Sequence, residues 1–323
     1  MLSMIVDDVR EPAWNLALDE ALVRVPGPRG RRRTARRRGR PAGPAGPGGP
    51  AGAGYVPRIR PADLPFDLPP ASTAAERAAP VLRVWQNAPS VVVGRFQNVE
   101  EVVDLAACAR DGVRVVRRAS GGGAVYTDSG TLLFSLVRRP RPGDRRITAE
   151  LPDLDVLVGT ALGRLGYPAD LLAGKGAGGV AGGRTGGRPA GRTGGIVQTA
   201  WLRTRDAVLT HLAVHVTPIN AYGPAYLVPP RPRPGSATGP FPQAGGAERH
   251  TLADLGLPVT LDAVRAAVLS EIMDVYGIAR TRRPDQGEQA VRDHLYSVRY
   301  GDVTWNLSGP AGPRRAAREF SGG

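Results

Sequence analysis

Residues 117 to 130, RRASGGGAVYTDSG, gather the groups of this chain best suited to handling an anion. Consecutive glycines let main-chain amides come close to a carboxylate or phosphate, which a side chain would obstruct. Arg117 and Arg118 supply charge and a fork geometry that matches such anions. Asp128 has the chemistry to orient a donor or to hold a divalent ion. A tight turn carrying a solvated arginine pair would use the same residue types.

The elements around this block decide what it is not. VLRVWQ (81 to 86) and SVVVGRF (90 to 96) read as strands separated by a turn at Asn87, Ala88 and Pro89. VEEVVDLAACAR (99 to 110) reads as one helix ending near Gly112, and GVRVV as a strand. AVYT and TLLFSLV then flank Asp128-Ser129-Gly130 like the arms of a hairpin. A dinucleotide fingerprint or a Walker loop runs from strand through glycines into a helix, whereas Gly121 to Gly123 lead into a strand. Both nucleotide-fold motifs are excluded on that ground.

Elsewhere EPAWNLALDEALVRV (11 to 25) has the apolar spacing of an amphipathic helix, with Pro12 near its start. LDVLVGTALGRLG, within 151 to 166, and LDAVRAAVLSEIMDVYG (261 to 277) read as further helices. VQTAWL and AVLTHLAVHV read as strands, and a Pro/Gly-rich connection covers 218 to 247. The mixture of both element types places the chain in the α/β or α+β class. His211 and His215 lie four apart in a strand and share a face, an arrangement that strand packing explains without a metal.

The net charge of +14 over 323 residues is localised. Residues 29 to 61 hold ten arginines and no acid, so +4 is left for the remainder. The Arg/Pro/Gly/Ala stretch from about 26 to 70 has no apolar periodicity and is expected to be a disordered insertion. Basic runs can grip nucleic acid, but no aromatic residue interleaves before Tyr55, which makes nucleic-acid binding the weaker expectation. The single cysteine, Cys108, excludes an internal disulfide and a cysteine zinc cluster. With no long apolar stretch and no leader-like start, a soluble cytoplasmic protein without membrane contact is expected.

RRASGGGAVYTDSG closely resembles the signature of lipoate-protein ligases: Arg-Arg, any residue, Ser-Gly-Gly-Gly, a small, a hydrophobic and an aromatic residue, His, Asp, any residue, Gly. Other blocks agree in order. WNLALDEAL (14 to 22) is similar to the family's opening helix, and VWQNAPSVVVGRFQNVEEVV (84 to 103) to the strand pair and helix before its signature. GRTGGIVQTAW followed by LTHLAVHV resembles its lysine-glycine segment and the next strand, and RYGDVTWN (299 to 306) the entry of its C-terminal accessory region.

The resemblance implies a catalytic core shared with biotin-protein ligases and class II aminoacyl-tRNA synthetases, a mixed sheet core flanked by helices. It divides the chain into a catalytic domain over 1 to 260, with a Gly-rich loop at 173 to 195, and a C-terminal helix and short tail over 261 to 323. It implies two steps: lipoate or octanoate attacks the α-phosphate of ATP with Mg2+ present, and the acyl-adenylate then acylates a carrier lysine. Arg117 and the loop of Ser120, Gly121, Gly122 and Gly123 would close over the adenylate, continued by Ala124, Val125 and Tyr126. Asp128 and Gly130 would shape the adjoining hairpin, and Gly194, Gly195 and Gln198 the opposite wall. The strands VVVG and TLLFSL would accept the dithiolane and alkyl chain. His211 would line the acyl site, and Glu20, paired with Asp19, would face the carrier or the adenylate.

The chain departs from the family pattern at three places. Thr127 stands at the signature histidine, replacing an imidazole by a hydroxyl that does not titrate near neutral pH. Thr131 replaces an asparagine. The catalytic lysine falls on Arg192 when GRTGGIVQ is aligned, yet the only lysine of the chain, Lys175, lies in AGKGAGGVAGG nearby, so either is a candidate cation. Cys108, on a helix among apolar neighbours, reads as a buried thiol rather than the thioester nucleophile of octanoyltransferases. Expected partners are apo-lipoyl carriers, the glycine-cleavage H protein or dehydrogenase E2 subunits. The short region after 261 points to a separate accessory protein for the second step.

Overall fold

The computed structural model describes residues 2–25, 79–139, 153–167, 196–204, 206–219, 223–228, 251–256, 259–277 and 279–310. The expected insertion at 26 to 70, most of the connection at 218 to 247 and the Gly-rich stretch at 173 to 195 lie outside them, as do Lys175, Arg192, Gly194 and Gly195.

A six-stranded mixed sheet forms the centre. Its strands are β1 (Leu2–Arg10), β2 (Val81–Asn87), β6 (Thr131–Arg138), β7 (Val197–Arg203), β8 (Val208–His215) and β9 (Ala279–Thr281), in the order β7-β8-β6-β2-β1-β9. β1 runs parallel to β2 and β9, and the remaining pairs are antiparallel. A second sheet of three short strands, β3 (Ser90–Val93), β4 (Arg114–Arg117) and β5 (Val125–Thr127), has the order β4-β3-β5.

This topology corrects the hairpin expected around Asp128-Ser129-Gly130. β5 pairs with β3 in the small sheet, whereas β6 pairs with β2 and β8 in the large one. The corner carries the chain between sheets. Asp128 Oδ1 accepts from the Gly130 amide at 2.8 Å, and a Cβ at Gly130 would stand 2.1 Å from the Thr217 carbonyl oxygen. Likewise β2 and β3 do not pair, and Asn87 to Pro89 switches sheets.

Helix α1 (Pro12–Arg24) begins with Pro12 at its first turn, where the missing N–H costs nothing, and the Glu11 carboxylate caps the Trp14 amide at 2.8 Å. The helix is buried on nearly every side, including its polar residues Asn15, Asp19 and Glu20. It lies on the sheet face that carries Val81, Trp85, Leu133, Val137, Leu209 and Ala213. Helices α4 (Leu154–Arg164) and α5 (Leu261–Tyr276) cover the opposite face, over Leu82, Val84, Leu132, Phe134, Leu136, Leu212 and Val214.

The expected helix over 99 to 110 is two, α2 (Val99–Val102) and α3 (Leu105–Arg110). Val103 is extended and bridges to Leu227, and Asp104 restarts the helix by accepting from the Ala107 amide at 2.9 Å. The C-terminal stretch holds α6 (Gln286–Leu295), a π-type turn at Tyr296–Tyr300 and α7 (Val303–Ser308). Residues 261 to 281 share the central core and sheet, so packing runs without a break across residue 260.

Candidate functional site

Alternation along β2 should bury one apolar face on α1, yet Arg83 occupies that face and is fully buried. It is neutralised and satisfied there. Nε donates to Asp7 at 2.6 Å, and Nη1 to Asp19 at 2.9 Å and to the Asn15 carbonyl at 2.9 Å. Nη2 donates to Asn15 Oδ1 at 2.5 Å. The guanidinium also sits over the Trp85 ring, 4.7 Å from its centroid. Asn15 continues the network to Asn87, whose amide donates to Thr127 Oγ1 at 3.0 Å. The buried polar chain runs on from Thr127 Oγ1 to Ser90 Oγ at 3.1 Å.

Asp19 projects from α1 to the same place. Its Oδ2 accepts from Ser135 Oγ at 2.6 Å and lies 3.4 Å from His211 Nδ1. Burial raises its carboxyl pKa, but the hydrogen bond from His211 and the charge of Arg83 outweigh this and hold it below the usual carboxylate range. On the other side of the imidazole, Nε2 stands 2.6 Å from Ser120 Oγ. Asp19, His211 and Ser120 thus form one continuous array at the foot of the glycine loop.

The loop itself is shaped by the second arginine of the signature. Arg118 donates to the carbonyls of Val92, Gly121 and Gly123 at 2.7 to 3.1 Å. Burial lowers its pKa to about 10, which leaves it charged at neutral pH. In a trans peptide the N–H points opposite the C=O, so carbonyls drawn to Arg118 turn the following amide away from it. Among the described residues none accepts from the N–H of Gly121, Gly122 or Gly123. Gly122 has φ +100°, and its carbonyl sits where a Cβ on Gly94 would be, 1.9 Å away. The loop therefore needs glycine on both sides of this contact.

A cleft of about 190 Å3, partly open to solvent, lies between the loop and α1. Leu16, Leu202 and Leu209 form its apolar wall, and Asp19, Glu20, Arg118, Ser120, His211 and Tyr300 its polar one. The strands expected to accept an alkyl chain do not reach it: Val91, Val93, Leu132, Phe134 and Leu136 are fully buried in the core clusters. Ala124, Val125 and Tyr126 pack inward as well, Tyr126 with its ring 5.5 Å from that of Tyr226. Gln198 pairs with Ala213 and Ala200 with His211, which puts Gln198 on the α1 face of the sheet with the cleft.

Arg117 is placed differently from expectation. The Arg117 guanidinium donates to the carbonyls of Gly94, Arg95, Gln97, Trp305 and Leu307, tying the loop after β3 to α7. It braces the loop's foot instead of closing over a ligand. Glu20, 1% exposed, lines the cleft and turns its carboxylate to Arg24, Arg299 and Tyr300. Burial raises its pKa, but Arg299 and Arg24 bring it below the usual range. Cys108 is buried beside Val91 and Val99, and desolvation followed by Asp104 pushes its pKa up to about 11. Arg83, Asn15 and Tyr300 were absent from the sequence expectation; the one local signal was an arginine inside the apolar run VLRVWQ.

The fold is shared with solved lipoate-protein ligases. A structure described as a putative lipoate protein ligase from Thermoplasma acidophilum with bound lipoic acid aligns with TM-score 0.61 at 20% identity, over 94% of this chain and 98% of that one. A structure of lipoate-protein ligase A bound with ATP aligns with TM-score 0.60 at 22% identity, over 95% and 97%. In sequence, residues 71–272 match the lipoyl protein ligase A/B catalytic domain model. The chain belongs to that family.

Two curated relatives show its breadth. Lipoate-protein ligase A subunit 1 of Thermoplasma acidophilum is 41% identical over 90 residues, 28% of this chain. The mitochondrial lipoyl amidotransferase LIPT1 of Homo sapiens is 37% identical over 86 residues, 24% of this chain. The matched stretches span 34% and 23% of those proteins. No helix among the described residues is long and apolar enough to cross a membrane.

Proposed function

We propose that this protein activates lipoate, or octanoate, with ATP as an acyl-adenylate and transfers the acyl group to a lysine of an apo-lipoyl carrier domain. The observation that carries this reading is the pairing of Ser120 and His211 in a cleft with an apolar wall, at the foot of a glycine loop whose amides have no acceptor among the described residues. Fixed amide dipoles aimed at developing negative charge stabilise an acyl-transfer transition state without reorganisation. Leu16, Leu202 and Leu209 offer the hydrocarbon chain a surface, and Arg118, Ser120 and His211 stand on the polar side for its carboxylate.

ATP enters as the second substrate. Attack of the carboxylate on its α-phosphate breaks the α–β anhydride, releases pyrophosphate and gives the acyl group AMP as its leaving group, and Lys175 or Arg192 is the cation assigned to the phosphates. Among the described residues no group of three or more His, Cys, Asp or Glu converges on a metal, so none is assigned to Mg2+. The acceptor reading, an E2 subunit or H protein, draws support from a solved archaeal system described as a bipartite lipoate protein ligase and its E2 lipoyl domain, TM-score 0.58. A separate accessory protein fits the same precedent.

A second reading, transfer from an acylated carrier without ATP, draws support from the likeness to LIPT1. Full-length protein incubated with apo-carrier and lipoate, with and without ATP, or with octanoyl carrier protein, separates the two when the carrier is weighed by mass spectrometry. An ATP-dependent gain of one lipoyl group is the expected result. A gain only from the octanoyl carrier would replace the ligase reading by the transferase one. Lys175→Ala and Arg192→Ala, assayed in parallel for acyl-adenylate, assign the cation.

A further inference from the structure

We propose that the Asp19–His211–Ser120 array takes up one proton when an acyl carboxylate binds, turning the Ser120 hydroxyl from an acceptor into a donor toward that carboxylate. The inference rests on the reading of the cleft as the acyl site.

Hydrogen-bond direction carries the argument. Asp19 receives Arg83 Nη1 at 2.9 Å and Ser135 Oγ at 2.6 Å, and an ionised carboxylate accepts only. His211 Nδ1, 3.4 Å from Asp19 Oδ2, must then carry a hydrogen. In the neutral imidazole Nε2 is left as an acceptor, and the Ser120 O–H donates to it across 2.6 Å. In that state Ser120 shows only lone pairs to the cleft, which repel a carboxylate. Placing a proton from solvent on Nε2 reverses the contact. Nε2–H then donates to Ser120 Oγ, the hydroxyl hydrogen swings to the carboxylate, and Asp19 holds the imidazolium. The balance is one carboxylate and one proton bound together.

The charged and titratable groups facing His211 leave Asp19 as its counter-ion. Glu20 from α1 is engaged by Arg24 and Arg299. Arg118 is committed to loop carbonyls, and Arg83 reaches the imidazole only through Asp19. Tyr300 has its pKa raised well above normal by burial and then by Glu20, so it stays neutral. His215 on the same strand contacts Thr131 Oγ1 at 3.1 Å.

The test is calorimetric titration of lipoate into the full-length protein without ATP, in buffers of different ionisation enthalpy, at a series of pH values on both sides of neutrality. Wild-type binding should take up a fraction of a proton that rises toward one with pH, and affinity should fall up to tenfold per pH unit at the alkaline end. In His211→Asn the uptake should vanish and the affinity become independent of pH. Ser120→Ala should weaken binding about tenfold, the size of one hydrogen bond to a charged group. Saturable wild-type binding with no buffer-dependent heat would overturn the relay while leaving the ligase reading intact. Uptake that persists in His211→Asn would do the same. No saturable lipoate binding at all would overturn both.

Discussion

Arg117 and Trp305 hold each other by two reciprocal hydrogen bonds: the indole Nε1–H donates to the Arg117 carbonyl at 3.0 Å, and Arg117 Nε donates to the Trp305 carbonyl at 3.0 Å. The first arginine of the signature thereby fixes the C-terminal helix against the strand that leads into the glycine loop. A lysine at this site has three donors where the guanidinium serves five carbonyls. Arg117→Lys should lower stability by about 3 kcal/mol, since each carbonyl left dry costs about 1 to 3 kcal/mol. Urea unfolding followed by far-UV circular dichroism measures this. An unchanged midpoint would remove Arg117 from its bracing role.

Two glycines of the loop, Gly121 and Gly122, and Gly94 against it should respond unequally. A Cβ on Gly121 meets nothing within 4 Å, whereas Gly122 has φ +100° and a Cβ there would stand 2.7 Å from Arg118 Nη2. Gly121→Ala is expected to stay within about 1 kcal/mol of the parent, and Gly122→Ala to lose about 1 to 3 kcal/mol. Gly94→Ala, with a carbonyl 1.9 Å from the new methyl, should displace the loop and abolish lipoate binding. Melting temperatures and lipoate titration of the three variants distinguish this ordering from a uniform effect.

Glu20 ties the first helix to the C-terminal turn. Its folded pKa lies below the ordinary carboxylate value after burial is outweighed by Arg299 and Arg24. The unfolded chain then binds more protons on acidification, so the stabilisation is complete above the unfolded pKa and is lost as pH falls through the folded one. Glu20→Gln should cost about 3 to 5 kcal/mol at neutral pH, because it strands a buried Arg299 charge. The gap to wild type should narrow below about pH 4, where the parent carboxyl also begins to protonate. A constant gap from pH 7 to 3 would contradict the ion-pair account.

Much of this was legible in the sequence, and the failures share one cause. α1, α5, β7 and β8 were readable from local apolar spacing and β-branched runs, although α1 is buried on nearly every side and β8 on both faces. β5 and β6 were readable as strands but not as members of different sheets, because pairing is settled by β3 and β2, far upstream. β1 was not read at all: its burial alternates weakly and Asp7, Asp8 and Arg10 dilute the apolar signal, yet it is held between β2 and β9. In the site, the glycine loop and Ser120 announced themselves through composition. Asp19 and Arg83 did not, because each acquires its meaning from a partner 64 residues away.

Cys108 offers the sharpest separation between adenylate and thioester chemistry. A cysteine nucleophile needs a thiolate and access, and Cys108 has neither: it is 2% exposed, packed against Val91, Val99 and Val113, with its pKa pushed up to about 11. At pH 8 roughly one thiol in a thousand would be ionised at that pKa. Native protein should therefore resist iodoacetamide at pH 8 and be labelled once unfolded in urea. Cys108→Ala removes only the sulfur from a small apolar pocket, so it should retain full lipoyl transfer with a stability loss of about 1 kcal/mol. Rapid native labelling, or loss of transfer in Cys108→Ala with the fold intact, would bring the thiol back as the acyl carrier and displace the adenylate route.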